Sequence, residues 1–446
     1  MAKKFAISMF SGGGISELGF EKHGVEFIVE NEILPDRAAL AKLNHPKAEL
    51  FVDDAWNCQA KIIDYTKKIL HDDELFLFLA TPPCQGMSSN GAGTLLNNAR
   101  KGLRPKMDPR NRLIIPALKV ASKLNPEWII FENVIGMKNT VIINDDGKHV
   151  KILDLIPTLL GNNYVGKSYA IEFADYGLPQ RRKRLITIYT RNQITKNAFS
   201  QGISLVPPPT HDKSGKNGLK SWVTMREALA GFEKLDAKDT KHSKSKKHLL
   251  HRIPVMDPKK YFWVKHTPQN STAFDNQCVN PDCKYQGNPK HGAKRDKRGI
   301  NQSKKNTPLY CVKCGSLLPR PYVDKKGKIQ LMSGYVSAYK RMSWDSPAST
   351  LTTNFLYTCS DNKIHPEENR TLSFLEALKL QSISDYNYKW RPFSNGNGVA
   401  PDTLIKNVIG ESAPPMFFDR LYDWITKLST NQIEKNGILA YVDLKS

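Results

Sequence analysis

Leu75-Phe76-Leu77-Phe78-Leu79-Ala80 is an unbroken apolar run closed by Thr81-Pro82-Pro83. It has no alternation of apolar and polar residues, so a strand built from it has no face to give to water. Such a strand belongs inside a sheet covered on both sides. The flanking sequence supplies the cover. Lys4–Ser8 reads as a short apolar strand running into a glycine-rich turn, with a helix near Ile15–Lys22. Glu26–Val29 reads as a second strand, followed by a helical stretch from Pro35 to about Leu43. Arg112–Leu124 reads as a helix, and Trp128–Phe131 and Leu185–Tyr189 as further strands. This alternation predicts an α/β fold, a Rossmann-like doubly wound and mostly parallel sheet, over residues 1–192.

After Tyr189 the pattern dissolves. Pro207-Pro208-Pro209 marks a linker, and a strongly basic stretch follows. Lys238 to Lys328 holds 22 Lys/Arg against 6 Asp and no Glu, an excess of +16 out of the chain's +23. That concentration points to a polyanionic partner, against the alternative of a solvated, flexible insert. No amphipathic basic helix suggests a membrane surface, and no run of about 18 apolar residues suggests a span. The expected location is the cytoplasm, with the nucleoid.

Seven cysteines are too few for a disulfide scaffold in a chain of 446 residues. Four of them form Cys278-x4-Cys283 and Cys311-x2-Cys314, two short turns that can each offer two thiolates to one tetrahedral zinc. Gly315 after the second pair allows a positive φ. The sequence between the pairs is rich in Lys, Arg, Gly and Asn, with little to build a core, so a metal staple is expected. His291 could replace one cysteine, but four thiolates complete the shell without it. Residues 193–370 are thus expected to form a second, smaller basic domain. From about Arg370 helices resume, with Leu372, Leu375, Leu378 and Leu380 as apolar positions and another helix near Pro414. This segment, 371–446, is expected to complete the first domain.

In an open α/β sheet ligands bind at the carboxyl ends of the strands. After the first strand stands Phe10-Ser11-Gly12-Gly13-Gly14. Glu17 occupies the third position of a Gly-x-Gly-x-x-Gly pattern, which disfavours a dinucleotide. After the second strand stands Glu32, able to accept hydrogen bonds from ribose hydroxyls. After the buried run comes Cys84, held behind two prolines as an exposed nucleophile would be. Glu132-Asn133-Val134 follows the next strand. Gln180-Arg181-Arg182-Lys183-Arg184 leads into the last, where alternation would turn Arg182 and Arg184 to one cleft.

In this order the motifs resemble those of the C5-cytosine DNA methyltransferases, S-adenosylmethionine-dependent enzymes of prokaryotic type, across nearly the whole chain. The resemblance implies a cofactor site made of Phe10, Ser11, Gly12, Gly13, Gly14, Glu32, Ile33, Asp54 and Ser412, with Asp54 meeting the adenine amino group. It implies Cys84 as nucleophile, Glu132 as the base-binding acid, Arg184 on the base's O2, and Arg182 positioning Cys84 and its loop. Leu351-Thr352-Thr353 and Arg370-Thr371-Leu372-Ser373 with Glu376-Ala377 resemble the motif that supports a target-recognition domain, which the basic insert would be. The last motif, Gly410-Glu411-Ser412-Ala413-Pro414, departs from the family's usual Gly-Asn-[Ala/Ser]-Val-Pro at Glu411. The C-terminal helix is expected to pack beside the cofactor loop.

The residue types suit the reaction. C5 of cytosine is a poor nucleophile until a soft thiolate adds at C6, and protonated Glu132 would assist at N3. The target base must leave the duplex, with Ser88–Gly93 as the loop that closes over it. A methyltransferase of the same family acting on tRNA is the alternative substrate reading, disfavoured by the size of the basic insert. A catalytically silent DNA-binding homologue is disfavoured by Cys84, Glu132 and Arg184. The expected partner is double-stranded DNA, met by a monomer working apart from any cognate restriction endonuclease.

Overall fold

The computed structural model describes residues 3–83, 87, 108–216, 218–291, 293–295, 301–303, 307–332, 337–393 and 398–432. Its centre is a seven-stranded sheet: β1 (Lys4–Met9), β2 (Val25–Asn31), β3 (Glu49–Phe51), β4 (Leu75–Ala80), β5 (Trp128–Asn133), β6 (Val165–Glu172) and β7 (Lys183–Thr190). The spatial order is β3-β2-β1-β4-β5-β7-β6. Strands β1 to β5 are parallel, whereas β7 runs antiparallel to both β5 and β6. The apolar run of β4 lies in the middle, with all six residues buried.

Both faces are covered. Helix α3 (Ala55–Leu70), α4 (Ile114–Leu124) and α5 (Ile152–Leu160) bury one face with Cys58, Ile62, Leu118 and Ile156. Helix α3 is an addition to the elements expected from the sequence: Ala55, Cys58, Ile62, Thr66 and Leu70 share one stripe at helical spacing, and Asp54 caps it by accepting from Trp56 N–H. The short α1 (Leu18–Glu21) occupies less than the expected Ile15–Lys22, and the first turns of the expected Arg112 helix are 3₁₀, Pro109–Leu113. On the other face lies the C-terminal helix. We label α6 (Phe374–Leu380), α7 (Asp402–Glu411) and α8 (Pro415–Ser429). Phe417, Phe418, Leu421 and Ile425 of α8 pack with Phe20, Phe27 and Phe173.

Gly19 is a glycine because α8 leaves no room there: an added Cβ would stand 2.3 Å from Pro415 O. Gly13 is likewise closed off by Val408 of α7, at 2.6 Å. The C-terminal helices therefore lie beside the loop after β1, as expected.

The intervening region has a separate apolar core around Trp263, Phe274, Tyr339 and Ile364. Its regular elements are short and include a helix over Pro258–Lys265 and a hairpin pairing Tyr322–Lys325 with Lys328–Leu331. No helix among the described residues is long and apolar enough to cross a membrane.

Candidate active site and metal cluster

The carboxyl ends of β1, β2, β4 and β5 converge. The loop after β1 turns tightly: Gly14 N–H donates to Ser11 O at 2.9 Å, and Ser11 N–H to Asn31 O at 3.0 Å. Phe10, Gly12 and Gly14 have φ of 59°, 59° and 72°, the left-handed region that glycine enters without strain. Thr81, at the end of β4, ties itself to the loop by donating its hydroxyl to Phe10 O at 2.8 Å.

Glu32 is buried, and its two oxygens accept from Gly12 N–H (3.0 Å) and Leu34 N–H (2.9 Å). These bonds fix the carboxylate in place and leave about half of its roughly four acceptor positions. Beside it Ile33, Leu34 and Val52 are exposed, an apolar surface at the edge of a polar turn. An acid with spare acceptor capacity next to apolar surface suits a nucleoside. Asp54 spends one oxygen on capping α3. Ser412 lies just past α7; its carbonyl accepts from Arg182 and Gln381, and its hydroxyl donates to Ile409 O.

Glu132 and Asn133 end β5. Asn133 Nδ2 donates to Pro82 O at 3.0 Å, so this strand holds the turn two residues before Cys84. Glu132, also buried, lies 2.8 Å from Arg184 Nε. Cys84 itself and the Ser88–Gly93 loop lie outside the described residues.

Arg182 is tied to the C-terminal helices. It directly precedes β7, and its carbonyl accepts from Phe173 N–H at 3.1 Å. Its guanidinium is fully buried and donates to Leu351 O (2.7 Å), Gly410 O (3.2 Å), Glu411 O (3.3 Å) and Ser412 O (2.8 Å). The planar fork with five donors is matched to the carbonyls at the end of α7, where the helix dipole also favours a cation. Gln180 extends this clamp: it accepts from Leu351 N–H and donates to Leu380 O. The Arg motif thus joins the Leu351-Thr352-Thr353 segment to the C-terminal helices. Gly410 completes the fit, since a Cβ there would lie 2.3 Å from Thr353 N.

The departure at Glu411 has a local partner in Arg37, 2.7 Å away, which links α7 to the helix after Glu32, α2 (Pro35–Asn44, counted before α3). Gln381, His45 and Tyr388 also act at this end of the sheet. No periodicity or motif singles them out, because their role is a hydrogen bond to a distant backbone group. A cavity of about 390 Å³ lies elsewhere, lined by Lys265, Arg341 and Trp344 among others.

Arg370 and Glu376 form a bidentate pair (2.6 and 2.7 Å), fully buried, and Glu376 also closes a capping box with Ser373 at the start of α6. Burial would raise the Glu376 carboxyl, but the Arg370 guanidinium overcomes it and holds the group at about 2.

In the basic region the ligand atoms of Cys278, Cys283, Cys311 and Cys314 all lie within 4.8 Å of one another. The Cys278–Cys314 and Cys283–Cys311 sulfurs are 3.7 and 3.9 Å apart. Four sulfurs placed tetrahedrally at ~2.3 Å from a zinc would be about 3.8 Å apart, so the set fits that ion. Gly315 has φ 70°, as its place after the second pair requires. His291 is engaged elsewhere: its ring stacks on Phe274 at 4.7 Å and Nδ1 meets the Thr307 hydroxyl.

The profile of the C-5 cytosine-specific DNA methylases matches residues 5–425. Type II methyltransferase M1.HgaI of Avibacterium volantium is 25% identical over 425 residues, covering 93% of this chain and 96% of its own. Type II methyltransferase M.AgeI of Thalassovita gelatinovora is 22% identical over 463 residues, covering 89% and 96%. Among solved structures, the Entamoeba histolytica methyltransferase EhMeth superposes with a TM-score of 0.51 at 12% identity, over 97% of this chain and 100% of that one, a likeness of fold. The match along nearly the whole chain makes it a member of the C-5 cytosine-specific DNA methylase family, and hence an S-adenosylmethionine-dependent DNA (cytosine-5-)-methyltransferase.

Proposed function

We propose that the chain methylates a cytosine turned out of a specific duplex sequence, with Cys84 as covalent nucleophile and Glu132 and Arg184 on the base. The observation that carries this reading is the pairing of Glu132 with Arg184 on the strand whose next residue, Asn133, holds Pro82. One strand end thereby ties the base-binding acid to the turn that leads into Cys84.

In this mechanism the Cys84 thiolate bonds to C6 while Glu132 supplies a proton to N3, which turns C5 into an enamine carbon. Arg184 steadies the charge on O2. S-adenosylmethionine, when bound, supplies the electrophilic methyl group that C5 takes. A base takes the C5 proton, the Cys84 sulfur leaves as thiolate, and N3 returns its proton to Glu132, which restores the aromatic ring. Arg182 serves by joining the C-terminal helices to the recognition segment. Phe10–Gly14, Glu32, Ile33, Asp54 and Ser412 hold the cofactor, with Glu32 on the ribose.

Residues 193–370 act as the target-recognition domain on 1–192 and 371–446. Their charge supports phosphate contacts, with base edges giving the sequence choice. The four-cysteine cluster holds a structural zinc, supported by its sulfur spacing. We take the enzyme to work as a monomer on nucleoid DNA in the cytoplasm; the type II names of its relatives support a cognate endonuclease acting separately.

The test is Cys84→Ala. Turnover falls by orders of magnitude while DNA binding persists. Duplex with 5-fluorocytosine at the target gives a denaturation-resistant adduct with the wild type alone. Methylation by the variant above about one per cent of the wild-type rate removes Cys84 from the role.

A further inference from the structure

Beneath the glycine loop lies a buried cluster that the mechanism above does not use. His45 follows the last residue of α2 and is almost wholly buried. Its Nε2 is 2.6 Å from Gly14 O, and its Nδ1 is 2.7 Å from Glu21 Oε1 on α1. A carbonyl oxygen only accepts, so Nε2 carries a proton. A carboxylate only accepts, so Nδ1 carries one too. An acceptor at each ring nitrogen favours the imidazolium.

Its surroundings agree. Glu30 Oε1 of β2 lies 3.8 Å from Nε2, and buried Glu17, which takes a hydrogen bond from Ser8 of β1, is close enough to act on the ring electrostatically. Phe27 of β2 presents an aromatic ring at 6.4 Å. The ring also sits at the C-terminus of α2, where the helix dipole favours a cation. Burial opposes the charge, but Glu30, Glu21 and Glu17 overcome it and lift His45 to about 10. Burial also pushes Glu30 up to about 8 and raises Glu17, so the carboxyl groups are not all charged at neutral pH.

Gly14 has no space for a side chain on this side, since a Cβ would lie 2.4 Å from His45 Nε2. The neighbouring Gly13 O is held in the same way by the half-buried Tyr388, whose hydroxyl donates to it. Two successive loop carbonyls are therefore turned into the protein by side-chain donors, one of them cationic. We propose that His45 is a positioning residue for S-adenosylmethionine, its doubly protonated ring fixing the Gly14 peptide so that the Phe10–Gly14 loop keeps its binding shape. This rests on the reading of that loop as the cofactor site.

The experiment is calorimetric titration of the intact protein with S-adenosylmethionine, alongside thermal melting and DNA affinity. His45→Ala loses the donor to Gly14 and should bind the cofactor on the order of tenfold or more weakly, with DNA affinity kept. His45→Gln can place an amide N–H near the Nε2 position and should restore most of the affinity, whereas His45→Asn, which reaches only towards Glu21, should not. Wild-type affinity should hold through neutral pH and weaken as pH rises towards about 10, where His45 gives up its proton. His45→Gln has no such proton and should lack that fall.

If His45→Ala does not fold, the comparison of Gln with wild type across pH decides. A folded alanine variant with wild-type affinity, or a glutamine variant that weakens with pH as the wild type does, overturns the proposal. Wild-type protein that binds no S-adenosylmethionine at all sinks the reading of the loop, and the proposal with it.

Discussion

The central sheet and the basic region solve the same problem by different means. In the sheet every strand satisfies its neighbour's backbone, so the side chains are free to be apolar, and β4 and β5 are buried throughout. The basic region has few ladders, and its backbone groups must find partners among side chains. Arg341 alone donates to Thr267 O, Val264 O, His365 O, Glu368 O and Asn369 Oδ1. Asn276 donates to Trp263 O, the Thr267 hydroxyl and Pro319 O. Around the four cysteines the apolar core shrinks to Cys278, Cys311 and Leu318, with Cys283 and Tyr285 packed on them. Irregular backbone is thus held by long buried donors and by thiols, and it depends on single residues in a way the sheet does not.

The sharpest way to break this contrast is to remove the zinc we propose for the four cysteines. Binding to such a module supplies folding free energy, on the order of 10 kcal/mol for a structural zinc. Chelation should erase amide-exchange protection around Cys278–Leu318 and impair DNA recognition. Exchange in β1, β4 and β5 and cofactor affinity should stay as they were. Substoichiometric metal in protein purified without added zinc, with four freely titrating thiols in the native state, would refute the site.

The next effect is Arg341→Met, which leaves several buried acceptors without a donor. Each such group costs about 1–3 kcal/mol, so the loss should be several kcal/mol, read by urea denaturation. Ile7→Val in β1, equally buried, should cost only about 0.5–1.5 kcal/mol. Equal losses at the two sites would mean that the regions are not held differently.

The same contrast explains what was legible in the sequence. The strands were readable because an apolar run such as Leu75–Ala80 reports burial directly, and the strand-end residues followed from the sheet's polarity. The cysteine pairs were readable from spacing, since two short turns are all the geometry a tetrahedral site needs. The partners of Arg182 had no local signal, because its guanidinium answers to carbonyls some 170 to 230 residues further along the chain. Arg341, Gln381 and His45 carry no local signal, as each serves a backbone oxygen that only the folded chain brings near.

A smaller effect sharpens the sheet side of the comparison. Glu32→Ala removes the carboxylate that holds Gly12 N–H and Leu34 N–H and that we assign to the ribose. The Kd for S-adenosylmethionine should rise by about 1–3 kcal/mol, with DNA affinity unaffected. Calorimetry showing the same Kd would take Glu32 out of the site.

The smallest effect concerns surface charge, where the two regions should differ in what their lysines do. DNA affinity should fall steeply with salt, because each phosphate contact releases counterions and contributes about 0.9 to the slope of log affinity against log salt. Lys244, Lys246 and Lys247 are exposed in the basic region, and Lys67 and Lys68 are exposed at the end of α3. Reversing the first three to Glu should flatten the slope by up to about three contacts' worth and weaken binding to all sequences alike, since phosphate contacts carry no base information. Reversing Lys67 and Lys68 changes the net charge in the same direction, but on a helix that covers the sheet, away from the strand ends, and should leave the slope where it was. That pair separates a localised DNA surface from a general effect of net charge. If both sets flatten the slope equally per charge, the basic region is not the DNA contact and its excess of +16 is only a solvated surface.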